Sequence, residues 1–372
     1  MLLIKSQRDM LLSPLLSVSG IVEKRHTLPI LSNVLLEKIG DRLTFLATDI
    51  EIQITTIMNG AIGENDGAVT VSAKKLQDIL RLLPENSEVS LSLNENRLLI
   101  RTEKSRFSLQ TLPASDFPRM VISEDNSKKI TVTQKQFRHL LGQTQFAMAT
   151  QDVRYYLNGL LLLIDGKNLR AVATDGHRLA YASMVLDIED EFELPYKEFI
   201  LPRKTVLELS RQLDDSDELL HIELASNQIH FQFKQIDLVS KLIDGKFPDY
   251  ERVIPASLKS TIVLNRTELY QSMIRAAILT NEKFRGIRLL LSNGLLKIVA
   301  ANTEQEEAQE EIEVEFNGDS LDVGFNVGYL LDVLNNTTEE MIEWGFNDAN
   351  SSSLITILGN DYFKYVVMPM RI

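Results

Sequence analysis

Apolar residues in this chain recur with two alternating periods, and the alternation itself comes three times. Over residues 72–83, Leu76, Ile79, Leu80 and Leu83 fall at i, i+3, i+4 and i+7. Val327, Leu330, Leu331 and Leu334 repeat that spacing over 326–337, and Val206, Leu209 and Leu213 follow it over 202–213. Such stripes predict helices with one buried face. Helix-like stretches also cover 7–20, 134–146 and 265–279. Between them the pattern shifts to alternation, as in VSLSLNENRLLI (89–100) and LLHIELASNQIHFQF (219–233), which predicts strands. A less regular run, SLITILGNDYFKYVVM (353–368), stands at the matching place near the end. Three hairpins turn at Gly40-Asp41, Asp165-Gly166 and Asn293-Gly294, where glycine beside Asp or Asn supplies positive φ.

These elements line up as one unit written three times. LTFLATDIEIQI (43–54), LRAVATDGHRLA (169–180) and LKIVAANTEQEE (296–307) align without gaps on Ala47, Ala173 and Ala300. Phe117-Pro118 returns as Phe247-Pro248. A repeat this long is a whole domain, not a solenoid unit of about 20–50 residues. Each unit reads helix, hairpin, strands, helix, strands, which predicts an α+β fold of three similar domains, each with two helices packed on antiparallel sheets. The polar stretches SEDNSKK (123–129) and PASLKS (255–260) set the expected domains at 1–125, 126–255 and 256–372.

Charge is distributed unevenly among these elements. The chain of 372 residues carries a formal −13, which argues against simple electrostatic coating of nucleic acid. The six helical windows, however, hold eleven Lys and Arg against five Asp and Glu, so the helices carry +6 and the remainder −19. Basic helices facing a duplex would meet phosphate, with the acidic sheets turned away. The competing explanation is that Lys and Arg favour helices while Asp favours turns. The sixth window, whose one charged residue is Asp332, adds nothing basic.

Candidate chemistry is sparse. With no cysteine there is no disulfide, thiol nucleophile or thiolate metal site, which fits a reducing cytoplasm. The N-terminus lacks the apolar core of a signal peptide, and no apolar run reaches the roughly 20 residues of a membrane span. The five histidines are scattered, and no zinc, EF-hand, Walker A or dinucleotide spacing occurs, so neither metal nor cofactor is expected. Glu304, Glu306, Glu307, Glu310, Glu311 and Glu313 read as a solvated acidic face. Asp175 two residues before His177 is the one arrangement suited to orienting a base, and a hydrolase built on it is the alternative to a binding protein. Asp-Gly is equally a turn dipeptide, and the matching segments of the other repeats lack histidine. Tyr155-Tyr156 beside Arg154 suits stacking on bases or contact with phosphate, or else a core pair. The apolar terminus YVVMPMRI finishes a strand or lines a groove in which methionine adapts to varied partners.

Longer motifs narrow the choice. QDVRYYLNG (151–159), VATDGHRLA (172–180), GKFPDYERV (245–253), NEKFRG (281–286), EQEEA (304–308), GFNVGYLLDVLN (324–335) and YVVMPMR (365–371) together resemble the bacterial DNA sliding clamp family, the beta subunit of DNA polymerase III. The resemblance implies a ring-shaped head-to-tail homodimer of six domains with helices lining the hole. It implies a non-catalytic processivity factor that encircles double-stranded DNA without reading its sequence. Its partners would be the DNA polymerase III catalytic subunit, the clamp loader and other proteins with clamp-binding motifs.

By position, the resemblance implies DNA contacts at Arg25, Lys74, Gln151, Tyr155 and Tyr156, with Lys74 standing where the best-known pattern has arginine. It implies a partner-peptide pocket of Leu157, Thr174, Gly176, His177, Arg178, Leu179, Pro248, Arg252, Val253, Asn326, Tyr329, Val366, Val367, Met368, Pro369, Met370 and Arg371. It implies a subunit seam of Phe107 and Leu109 from one chain against Ile278 and Leu279 of the other, though core positions for these four would give the same sequence. Residues 183–199 are longer and more acidic than the family pattern and are expected to form a surface loop.

Overall fold

The computed structural model describes residues 2–23, 28–63, 65–121, 128–187, 194–281 and 283–371. Among them are six α-helices: α1 Arg8–Ser19, α2 Ala73–Leu82, α3 Gln134–Gly142, α4 Arg203–Gln212, α5 Arg266–Ala277 and α6 Val327–Asn336. They coincide with the six helical stretches of the sequence. Ser72, Asn265 and Asn326 each cap a helix by accepting backbone N–H groups of its first turn. The stripes are buried as the spacing requires, with Leu76 and Leu80 of α2, Val206 and Leu209 of α4, and Val327, Leu330 and Leu334 of α6 inside. α3 stops short of residue 146. The Thr144 hydroxyl takes the Leu140 carbonyl at 3.0 Å, its N–H bonds back only three residues to Leu141, and a 3-10 turn follows at Gln145–Ala147.

Among the described residues all the strand pairings are antiparallel, and the three expected hairpins turn on Gly40, Gly166 and Gly294 at φ of +60°, +58° and +73°. The aligned alanines Ala47, Ala173 and Ala300 are all buried on the second strand of their hairpins.

Three repeats condense into two compact units, residues 1–135 with 207–242 and residues 136–206 with 243–372. The reason is strand pairing across repeat boundaries. In the first unit, strand Ile52–Met58 of the N-terminal repeat pairs with Ile236–Lys241 of the middle repeat, setting Ile54 opposite Leu238. In the second, strand Arg178–Val185 of the middle repeat pairs with Asn360–Val367 of the C-terminal one, setting Leu179 opposite Val366. The second unit also holds a separate four-stranded sheet in the order Glu307–Glu313, Leu295–Ala301, Gly286–Ser292, Leu321–Asn326. The loop expected over 183–199 is narrower than that, because 183–185 end the strand Arg178–Val185 and 194–199 belong to the strand Leu194–Pro202. The expected boundary at 125, Arg25, and residues 188–193 lie outside the described residues.

Candidate functional site

A turn used twice lies at the centre of the candidate pocket. The Thr174 hydroxyl donates to the Arg178 carbonyl at 2.6 Å and accepts from Gly176 N–H, while Asp175 Oδ1 accepts from the N–H groups of His177 (2.9 Å) and Arg178 (3.1 Å). Thr48 and Asp49 make the same set of bonds to Ile50, Glu51 and Ile52 in the N-terminal repeat. The carboxylate of Asp175 is thus a turn cap, met by backbone N–H groups and by Arg178 Nε at 3.1 Å. It contacts His177 through the main chain, which is not how an aspartate orients a catalytic imidazole.

Arg178 gathers the surrounding elements. Besides Asp175, its guanidinium donates to the Asp332 carboxylate on α6 and to the Phe146 carbonyl at 2.6 Å. It lies 4.5 Å from the centre of the Tyr329 ring and 5.8 Å from that of Phe146. Burial opposes its charge, but the Tyr365 hydroxyl and the Asp332 and Asp175 carboxylates together hold its pKa above the usual arginine value. The buried Tyr365 hydroxyl donates to the Tyr329 carbonyl at 2.9 Å, and its burial pushes its own pKa up.

The last described residues close over this group. Val366 and Val367 finish the strand that pairs with Arg178–Val185 and are buried. Met368 N–H then donates to His177 O at 2.9 Å and Met370 N–H to Gly324 O at 2.8 Å. Met368 is 46% exposed, an apolar side chain facing water beside a buried floor of Leu157, Leu179 and Val366. Phe247 and Tyr250 join that same cluster, which leaves Pro248, Arg252 and Val253 exposed on the turn between and after them. Asn326 caps α6 through Gly328 N–H, and Tyr329 follows one turn into the helix. The pocket residues expected from the sequence all lie in the second unit. Pro369 and Met370 are half-buried there, and Arg371 is exposed.

A second feature adjoins it. Residues 151–158 form a self-braced loop in which Asp152 N–H donates to Asn158 Oδ1 (2.9 Å) and Asn158 Nδ2 returns to Asp152 O (2.8 Å). Arg154 donates to both Asp152 oxygens, and this pairing draws the Asp152 pKa down to about 2. Arg154 Nη2 also reaches Asp175 O at 3.3 Å, so the loop touches the turn. Gln151, at φ +57°, and Tyr155 are exposed, while Tyr156 packs edge-on against Tyr155 and against the core cluster. Lys74, in the first unit, is exposed on α2 and pairs with Asp78 one turn on.

Phe146 and Asp332 had no role in the reading of the sequence, and Arg154 and Tyr365 stood in noted segments without the roles the structure gives them. Asp332 carried a signal as the one charged residue of an otherwise uncharged helical window.

Comparison with known proteins is consistent along the chain. Models of the DNA polymerase III beta subunit match its N-terminal domain to residues 2–121, its central domain to 131–249 and its C-terminal domain to 251–371. A beta sliding clamp of Pseudomonas aeruginosa is 47% identical over 366 residues, covering 98% of this chain and 99% of that one. That of Escherichia coli K12 is 44% identical over 366 residues with the same coverage. Among solved structures, a Pseudomonas aeruginosa sliding clamp bound to griselimycin superposes with a TM-score of 0.94 at 46% identity, covering all of both chains. The Caulobacter crescentus polymerase III beta subunit gives 0.91 at 38% identity, covering 99% of this chain and 100% of that one.

Proposed function

This chain belongs to the DNA polymerase III beta subunit family, and from that premise we propose that it is a processivity factor. Two copies close head to tail into a ring around duplex DNA, slide along it, and tether the replicative polymerase through the pocket around Arg178. Tethering replaces repeated capture from solution with a high local concentration, which requires no chemistry from the clamp itself. The observation that carries this reading is the threefold recurrence of one α+β unit, matched domain by domain by the family over residues 2–371.

Three features support its parts. The basic bias of the helices suits loose contact with phosphate, which permits sliding where base readout would arrest it. Lys74, Gln151, Tyr155 and Tyr156 are assigned to the duplex and the residues converging on Arg178 to partner peptides, including those of the polymerase and the clamp loader. Nothing in the sequence resembles a nucleotide-binding loop, so a loader must supply the energy of opening. Among the described residues no helix is long and apolar enough to cross a membrane, and we place the protein in the cytoplasm with the chromosome.

The seam is supported by two open strand edges. Among the described residues, strand Arg106–Leu112, bearing half-buried Phe107 and Leu109, pairs over residues 106–110 only with Arg97–Arg101. Among the described residues, strand Glu307–Glu313 pairs only with Leu295–Ala301, and after α5 Ile278 is 75% exposed and Leu279 half-buried. An open edge is a template for pairing with another chain. Arg106 on the first edge strand, with Arg97 and Arg101 on the strand beside it, complements Glu307, Glu310, Glu311 and Glu313 on the second.

The test is topological. Clamp loaded on closed circular DNA is expected to stay through a high-salt wash and to leave once the circle is cut. Equal loss from circular and linear DNA at the same modest salt would overturn the reading.

A further inference from the structure

Among the Arg178 partners that no family resemblance singled out, one sits on the helix with no basic residue. Asp332 follows Tyr329 by three positions on α6, so the two side chains share a helix face about one turn apart. The Arg178 guanidinium meets both, with Nη1 on the Asp332 carboxylate and its central carbon 4.5 Å from the Tyr329 ring centre. Asp175 and the Phe146 carbonyl hold its Nε and Nη2. The planar fork is thus filled by groups from three separate segments, a geometry a lysine does not reproduce.

The geometry points to Asp332 as a positioning residue for partner binding: it seats the Arg178 guanidinium over Tyr329 and thereby fixes the aromatic wall of the pocket against the turn that carries His177. This assignment rests on the peptide-docking reading above. Two features separate it from a merely structural salt bridge. The Arg178 side chain is only 9% exposed and that of Asp332 is 46% exposed, so the carboxylate is the member of the pair reachable from solvent. Without Asp332 the guanidinium keeps Asp175 and the Phe146 carbonyl, so no buried charge is stranded and the fold survives. What is lost is the direction in which the guanidinium lies. The Tyr329 main chain is tied independently through Tyr365, which leaves the ring as the part that depends on Arg178.

The probe is a fluorescent peptide spanning the clamp-binding motif of the DNA polymerase III catalytic subunit, titrated by polarisation against the intact dimer. Asp332→Ala is expected to weaken binding about tenfold, while Asp332→Glu recovers part of the loss. In a Tyr329→Ala background the same Asp332→Ala change is expected to add less than about twofold, because the ring through which it acts is gone. Asp332→Asn, equal in shape and lacking the charge, replaces the alanine variant should that one melt early. Wild-type affinity in both Asp332→Ala and Asp332→Asn, or the same loss with and without Tyr329, would overturn the assignment. A wild-type dimer that ignores the peptide would overturn the docking reading, and this assignment with it.

Discussion

The backbone N–H of Met368 donates to the carbonyl of His177 at 2.9 Å, directly beyond the Arg178–Val367 pair that ends the strand ladder. Met370 then bonds to Gly324, so residues 368–370 run from the end of an interior strand of one sheet to the strand just before α6. Removing residues 368–372 takes away these two bonds, each worth about 1 kcal/mol, and leaves buried Val366 and Val367 in place. The truncated protein is expected to fold and dimerise yet fail to bind the polymerase peptide. Retained binding by polarisation would move the groove elsewhere.

Gly176 has a twin that shows what it is for. Ile50 occupies the same turn position in the N-terminal repeat at φ +79°, so a side chain is tolerated there at some strain. At Gly176, with φ +90°, a Cβ would stand 2.9 Å from Arg154 Nη2. Gly176→Ala is therefore expected to cost only about 1 kcal/mol in stability while displacing Arg154 from Asp175. Chemical denaturation reads the first effect, and weaker peptide binding reads the second. A large loss of stability with unchanged affinity would contradict this account.

How much of this was legible beforehand depends on the range of the interaction. Helix positions followed from local apolar spacing, as with Leu76 and Leu80, because periodicity is written in neighbouring residues. Hairpin turns at Gly40, Gly166 and Gly294 were equally local. Pairing of Ile52–Met58 with Ile236–Lys241 was not, because nothing in either strand names a partner almost two hundred residues away. Arg178 was recognised through a motif, yet its bonds to Asp332 and Phe146 come from folding and leave no trace in spacing. The end of α3 was misjudged for the opposite reason: a single Thr144 hydroxyl competed with the helix and won.

Acid should loosen the 151–158 loop late. Arg154 holds the Asp152 carboxyl well below its ordinary value of 3.8, down to about 2. A carboxylate whose folded pKa is depressed contributes stability above the unfolded value and loses it as pH falls through the folded one. The loop is therefore expected to stay braced down to about pH 4 and to open between pH 4 and pH 2. Amide exchange at Leu157, whose N–H donates to Arg154 O, reports the change. Arg154→Ala should shift the onset upward towards the ordinary carboxylate range, and an unchanged onset would dissociate the loop from this pair.

The last prediction concerns the ring seam. Ile278 is 75% exposed in the protomer and Leu279 half-buried, so charged residues there leave the fold of one chain intact. Burying two such side chains against Phe107 and Leu109 would contribute about 3 kcal/mol per seam, and a head-to-tail dimer has two seams. Ile278→Asp combined with Leu279→Asp is therefore expected to weaken each seam by at least about a hundredfold, giving monomers at micromolar concentration with an unchanged melting curve for the protomer. Reversing Arg106 to glutamate should act in the same direction, and more strongly at low salt, because it would face the acidic edge. Mass measured by light scattering across a dilution series decides the matter: a dimeric mass at every concentration for the double variant would place the seam elsewhere on the chain.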